Sequence, residues 1–224
     1  MKIKVYFNKN TGFFKMNGTV VKNQLIFDFA SGILGPAKSL FASTYLQLNS
    51  NASKISNTFE NMLGENLMDN ENIHPKNLKY TDCINNENIQ SDSNLKDPVT
   101  SLFGKLNNLN WKQVYKGFKE YTVSIDDKDE LKLIKMDPGV SVPLHSHGGK
   151  EYILVLEGSF CDEYGEYSKG DIQINDQKIK HTPIASKDTG CICLSITERD
   201  VIFFGKYGSF LNLFTFIKSF FKQK

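Results

Sequence analysis

No stretch of this chain approaches the roughly 18–20 consecutive apolar residues that a membrane-spanning helix needs, so no membrane span is expected. The opening residues lack the charged segment followed by an apolar core that marks a secretory leader, which points to a cytoplasmic protein. Charge of one sign is missing too. Lys and Arg number 27 against 25 Asp and Glu, and a net charge of +2 gives no reason to expect direct nucleic-acid binding. Cysteine is sparse: Cys83, Cys161, Cys191 and Cys193 have neither zinc-ribbon spacing nor the density of a disulfide scaffold. Histidine is sparser still in distribution, because three of the four lie between positions 145 and 181.

What is present allows one or two domains. A chain of 224 residues with 40% hydrophobic residues can bury at least one sizeable core. Its most informative stretch runs from Gly139 to Gly158, spaced Gly-x5-His-x-His-x3-Glu-x6-Gly. Val140 to Leu144 reads as extended, with β-branched residues and a proline suited to an edge or a strand start. His145 and His147 are two apart, so a strand turns both rings to one face. Glu151 has the same parity beyond a Gly148-Gly149 turn. Tyr152 to Leu156 reads as a strand buried on both faces and ended by Gly158. Two imidazoles and a carboxylate on one face are ligands for a divalent first-row metal. Downstream, Gly170-Asp171-Ile-Gln-Ile-Asn175 leads to His181-Thr-Pro183.

The first spacing resembles the first motif of the cupin superfamily, and the second segment resembles its second motif, without the usual Pro-x-Gly turn. The resemblance implies that His181 joins His145, His147 and Glu151 as the fourth ligand of one metal. The surrounding segments agree with a β-barrel or jelly roll: Trp111–Tyr115, Phe118–Ser124 and Leu131–Met136, then strands around Gly158–Phe160, Ile172–Ile174 and Cys191–Thr197. Cys191 and Cys193 share a face of their strand. A redox role is open to them, but small buried hydrophobes are the commoner use of such cysteines.

The first half of the chain reads differently. Residues 1–19 form an N-terminal extension, either a hairpin or a loose tail, and Met16 offers an alternative start. Leu25, Ile26 and Phe29 suit one helical face, closed by Gly32 and Gly35. Pro36 opens a second helix with Leu40, Phe41, Tyr45 and Leu48 on one side. A third starts near Asn51 or Ser53, with Ile55, Phe59, Met62 and Leu63 on its buried side. Such a module, residues 20–68, is too small to be very stable alone. Residues 69–97 are rich in Asn, Asp, Glu and Ser and read as a flexible linker, with His74 solvated within it. The barrel spans 98–206, entered by a short helix over Pro98–Leu109. Residues 207–224 form an amphipathic helix with Phe210, Leu213, Phe214, Ile217, Phe220 and Phe221 on one face. That stripe suits packing on the barrel or between the subunits of a homodimer, and a membrane surface is the alternative.

The helical segment from Phe27-Asp-Phe-Ala-Ser-Gly-Ile-Leu-Gly-Pro-Ala-Lys to Tyr45-Leu-Gln-Leu-Asn49 resembles the anti-sigma domain of ChrR-type regulators. The barrel segments Gly158–Asp171 and Gly190–Leu194 resemble the cupin domain of the same proteins. In that family the helices carry His-x3-Cys-x2-Cys, which binds zinc. Here those positions hold Tyr45, Asn49 and Ala52, so the module keeps the pattern and has lost its metal. The resemblance implies a mainly β chain: a cupin barrel preceded by a helical anti-sigma module and followed by a short helix. It implies zinc in the barrel, although the four ligands by themselves admit Mn, Fe or Ni. It implies an extracytoplasmic-function sigma factor as partner and a regulator rather than an enzyme. The alternatives are a small metal-dependent cupin enzyme of dioxygenase type and a pure ligand-binding cupin.

Overall fold

The structure, a computed structural model, describes residues 18–68, 98–123 and 130–206, together with 208 and 212. The expectations for residues 1–17, for the linker and for nearly all of the C-terminal helix lie outside the described residues.

Three helices come first: α1 (Gly18–Ala30), α2 (Pro36–Leu48) and α3 (Ser50–Met68). Pro36 sits at the start of α2, where its missing N–H and fixed φ cost nothing. Asn49 joins α2 to α3. Its N–H bonds back to Tyr45 O, and its side-chain Oδ1 accepts the Ala52 N–H at 3.1 Å as the cap of α3. The expected buried side of α3 needs one correction. Ile55 and Phe59 pack on the core, but Met62 is 53% exposed.

A short helix α4 (Pro98–Phe103) and a 3-10 turn at Leu106–Asn108 lead into the barrel. Its strands are β1 (Lys112–Tyr115), β2 (Phe118–Val123), β3 (Glu130–Met136), β4 (His145–His147), β5 (Glu151–Asp162), β6 (Gly165–Ser168), β7 (Ile172–Asn175), β8 (Ile184–Ala185), β9 (Cys191–Thr197) and β10 (Val201–Phe203). The main sheet runs β1-β2-β3-β9-β5-β6, with β7 and β8 also paired to β5, and β4 pairs β10 in a second, two-stranded sheet. Every pairing is antiparallel. Val140–Leu144 is not a strand; it carries a single bridge, Ser141 to Ile184.

Strand β5 departs from the expected end at Gly158. It continues to Asp162 because the register shifts between Val155 and Glu157, a one-residue bulge against β9. A bulge reverses which parity faces inward. Before it, Ile153 and Val155 face the inner cluster and Tyr152, Leu154 and Leu156 the outer one; after it, Phe160 faces inward. Gly158, at φ 69°, crosses where a side-chain carbon would overlap the Gly190 carbonyl, so the crossing needs glycine.

The alternation splits the apolar residues into two cores. Met136, Ile153, Val155, Phe160, Ala185, Cys191 and Cys193 fill the inner face. The outer face carries Leu131, Leu133, Leu154, Leu156, Leu194 and Ile196, and the helices cover it with Leu25, Ile26, Ala37, Phe41, Ala42, Tyr45 and Ala52. Helices and barrel therefore share one hydrophobic core. Phe41 is completely buried and meets Tyr152 edge-on at 6.0 Å. At the rim, Lys38 Nζ reaches Glu198 Oε1 at 2.8 Å.

Candidate metal centre

The two histidines of β4 and the first residue of β5 flank the Gly148–Lys150 turn. Glu198 holds that turn by accepting the Lys150 N–H at 3.1 Å, while its own N–H donates to Lys150 O. His181 arrives from the segment between β7 and β8. It pairs with His145 through two backbone hydrogen bonds, of 3.1 and 3.0 Å. A turn at Asp176, whose Oδ1 accepts the Lys178 N–H at 2.8 Å, takes the place of the missing Pro-x-Gly. The structure thus brings together all four residues named from the sequence: His145, His147, Glu151 and His181 offer ligand atoms within 4.8 Å of one another. All four are buried, between 1% and 5% exposed.

The hydrogen bonds around the rings fix where their lone pairs point. His145 Nδ1 lies 2.9 Å from the Pro143 carbonyl, which can only accept, so Nδ1 carries the proton. His181 Nδ1 lies 2.9 Å from Asp162 Oδ2. Burial alone would raise the Asp162 carboxyl, but hydrogen bonds from His181, Gln173 and the Tyr164 N–H outweigh it and hold the group below its usual value. Asp162 is therefore a carboxylate acceptor, and His181 also carries its proton on Nδ1. The two rings then turn Nε2 toward each other, 3.1 Å apart. Nitrogens so placed share a cation, a proton or a metal ion, between their lone pairs. His147 adds to the case: its Nε2 is 3.0 Å from Glu151 Oε2, yet neither ring nitrogen makes a hydrogen bond. A buried imidazole with no hydrogen bond is costly in an empty core. The donor set fits a divalent metal.

The electrostatics agree. Burial, which outweighs the opposing Glu151 carboxylate and is helped by the neighbouring His181 and His147, lowers the His145 pKa to about 4. The ring stays neutral, as a ligand must. Burial pushes the Glu151 carboxyl up, but His147 beside it and the His181 and His145 rings prevail, holding it below the ordinary value. Asn175 Nδ2 donates to Glu151 Oε2 at 3.1 Å.

Three polar residues of this centre had no role assigned from the sequence: Asp162, Gln173 and Asn175. Asn175 could have been found from its parity opposite Glu151. Asp162 could not, because counting by two from Glu151 puts it on the wrong face until the bulge is known.

Cys191 and Cys193 share the inner face as expected, with their sulfurs 3.2 Å apart. The hydrogen bond with Cys191, together with burial, pushes the Cys193 thiol well above its usual value, which disfavours a reactive thiolate. Their packing against Met136 and Val155 is that of small hydrophobes.

A comparison with known families matches residues 100–199 to the ChrR cupin-like domain. Residues 100–199 are a ChrR cupin-like domain. The likeness extends beyond the barrel. The anti-sigma-E factor ChrR of Cereibacter sphaeroides is 28% identical over 204 residues, covering 85% of this chain and 92% of that protein. The crystal structure of Rhodobacter sphaeroides SigE in complex with the anti-sigma ChrR contains a chain that superposes with a TM-score of 0.64. The two are 27% identical, and the match covers 78% of this chain and 96% of that one. The likeness takes in both the helical module and the barrel that follows it.

At the positions where the resemblance places zinc ligands, the module holds Tyr45, Asn49 and Ala52. Tyr45 and Ala52 lie in the shared core, 6% and 2% exposed, and Asn49 Nδ2 donates to Gly170 O of the barrel at 3.3 Å. Gly170, at φ 85°, leaves room for that approach: a side-chain carbon there would stand 3.0 Å from Leu48 O. Among the described residues, the one metal-competent cluster is that of the barrel. No described helix is long and apolar enough to cross a membrane.

Proposed function

We propose that this chain is a ChrR-like anti-sigma regulator of the cytoplasm. Its helical module binds an extracytoplasmic-function sigma factor, and its barrel holds one zinc ion through His145, His147, Glu151 and His181. The observation that carries the reading is likeness over both parts at once. The match covers 96% of a ChrR chain that is bound to SigE, whereas a free-standing cupin enzyme has no use for such helices. The closure of the centre supports regulation over catalysis. Four protein ligands, none more than 5% exposed, resemble a structural zinc site rather than one that keeps an open position for substrate. When bound, the divalent ion supplies the positive charge that holds three neutral imidazoles and a carboxylate in one buried cluster. The chain's own residues orient the rings through Pro143 O and Asp162 and exclude water by burial.

The test is co-purification from the native cell, with metal analysis of the same sample. A sigma factor recovered with the chain, together with zinc near one equivalent, is the expected result. Recovery of the chain with zinc but without any sigma factor, across every one encoded in the genome, counts against the regulatory reading.

A further inference from the structure

The bulge in β5 does more than extend the strand. It swings Asp162 onto the face that holds the metal ligands and buries its side chain to 0% exposure. There the carboxylate is the hub of a network. Oδ2 accepts from His181 Nδ1 at 2.9 Å and from Gln173 Nε2 at 2.6 Å. Oδ1 accepts the backbone N–H groups of Tyr164 and Gly165, at 2.8 and 3.2 Å, and so shapes the β5–β6 turn. That turn in turn grips the segment carrying His181: Tyr164 donates its hydroxyl hydrogen to Lys180 O, and Glu163 Oε2 accepts the Thr182 N–H.

We propose that Asp162 is the positioning residue of the metal centre, fixing His181 with its proton on Nδ1 and its Nε2 lone pair free for the metal. The proposal rests on the reading that the four-ligand cluster binds zinc, and it adds a fifth residue that makes no contact with the ion. A buried carboxylate on the outer nitrogen of a ligating imidazole fixes the ring's orientation and raises its basicity as a donor. Gln173 Nε2 and both backbone groups donate to it, so each has its acceptor where the carboxylate stands.

Asparagine is the informative substitution because it keeps the shape. A carboxylate offers acceptors to both donor pairs, whereas an amide offers one oxygen and one NH2. Asp162→Asn therefore turns an NH2 toward either the His181 and Gln173 pair or the two backbone N–H groups.

The experiment uses the full chain with Zn2+ and Co2+ as probes. Zinc affinity is read by chelator competition, ligand geometry by the visible spectrum of the cobalt form, and the His181 ring protonation by nitrogen-15 NMR. Asp162→Asn and Asp162→Ala are expected to weaken zinc binding by about 10–100-fold, with an altered cobalt spectrum. In the unaltered zinc-loaded chain, His181 is expected to show a protonated Nδ1 and a metal-bound Nε2. Zinc affinity within about twofold of the unaltered chain in both variants overturns the proposal, because losses from a lost outer partner are larger. A lowered melting temperature with unchanged metal affinity also overturns it, since that marks a role in the turn alone. If neither variant folds, the NMR of the unaltered chain decides: an unprotonated Nδ1 on zinc-bound His181 overturns the assignment. Failure of the unaltered chain to take up zinc removes the reading of the centre and the proposal with it. Zinc uptake with indifferent variants removes only the role of Asp162.

Discussion

At the scale of single residues, the ligand set was legible because it follows the period of a strand. His145, His147 and Glu151 alternate in step, and only His181 downstream was available to join them. What surrounds them was not legible to the same degree. Asp162 is hidden by one extra residue in β5, and a bulge has no signature in a hydrophobic pattern that simply runs on. Met62 looked buried because helical spacing tells which face of a helix it lies on, not whether the neighbouring surface reaches that far. The residue-scale prediction concerns stoichiometry. The intact chain should take up about one zinc equivalent, and His145→Ala/His147→Ala should take up none. Metal analysis of the full-length double variant tests the ligand set. Residual zinc at one equivalent would overturn the assignment of His145 and His147 as ligands.

At the scale of elements, α2, together with α1, makes the contact between the two halves. The sequence showed its amphipathic face but not what that face covers, because a helical stripe does not specify its partner. The structure sets it on the outer face of β5 and β9, so the apolar area that three short helices could not bury among themselves is buried on the barrel. Each Å2 so removed from water is worth about 25 cal/mol. Phe41 lies at the centre of that contact, fully buried. Phe41→Ala should cost about 3–5 kcal/mol, from lost burial and the cavity left behind, read as a shift in the urea midpoint. Asn49→Ala should cost about 1 kcal/mol through loss of the α3 cap, and its tie to Gly170 O goes with it. A loss of the tie without any change in stability would show that the apolar contact alone seats the module.

The rim of the same contact titrates. Burial raises the Glu198 carboxyl, but the Lys38 ammonium and the Lys150 N–H outweigh it and hold it below the ordinary value. A group whose folded pKa is depressed contributes stability above its unfolded pKa, and that contribution is lost as pH falls through the folded value. The pair is partly exposed, so the effect is modest and screened by salt. Urea unfolding of the wild-type chain should therefore lose more stability between about pH 6 and about pH 3 than Glu198→Gln does, the remaining acid loss being common to both. Equal losses in the two proteins would leave Lys38 and Glu198 without a role in docking.

At the scale of the whole molecule, the proposed function raises the question of how a helical module without a metal-competent cluster among its described residues would hold a sigma factor. Zinc binding contributes folding free energy to small domains that cannot supply it from a core. In this chain Tyr45 and Ala52 lie in the core shared with the barrel and Asn49 bonds to Gly170 O, so the barrel supplies the packing that a structural metal would otherwise supply. The consequence is a division of faces. One side of the helices, through Ala37, Phe41 and Tyr45, is committed to the barrel; Phe27, Ile33 and Met62 are 38%, 68% and 53% exposed away from that core. Resting on the proposed function, we predict that the sigma factor engages the exposed side while the barrel stays docked. Ile33→Asp should weaken a complex with the cognate sigma factor by at least about tenfold, roughly 1.4 kcal/mol, with little change in the melting temperature of the free chain. Hydrogen exchange supplies the complementary reading. On sigma binding, protection should rise in α1 and α3 and stay level in β5 and β9. A fall in protection at Leu154, Leu156 and Leu194 would instead mean that the partner takes the barrel's place on α2, and that the shared core is opened when the complex forms.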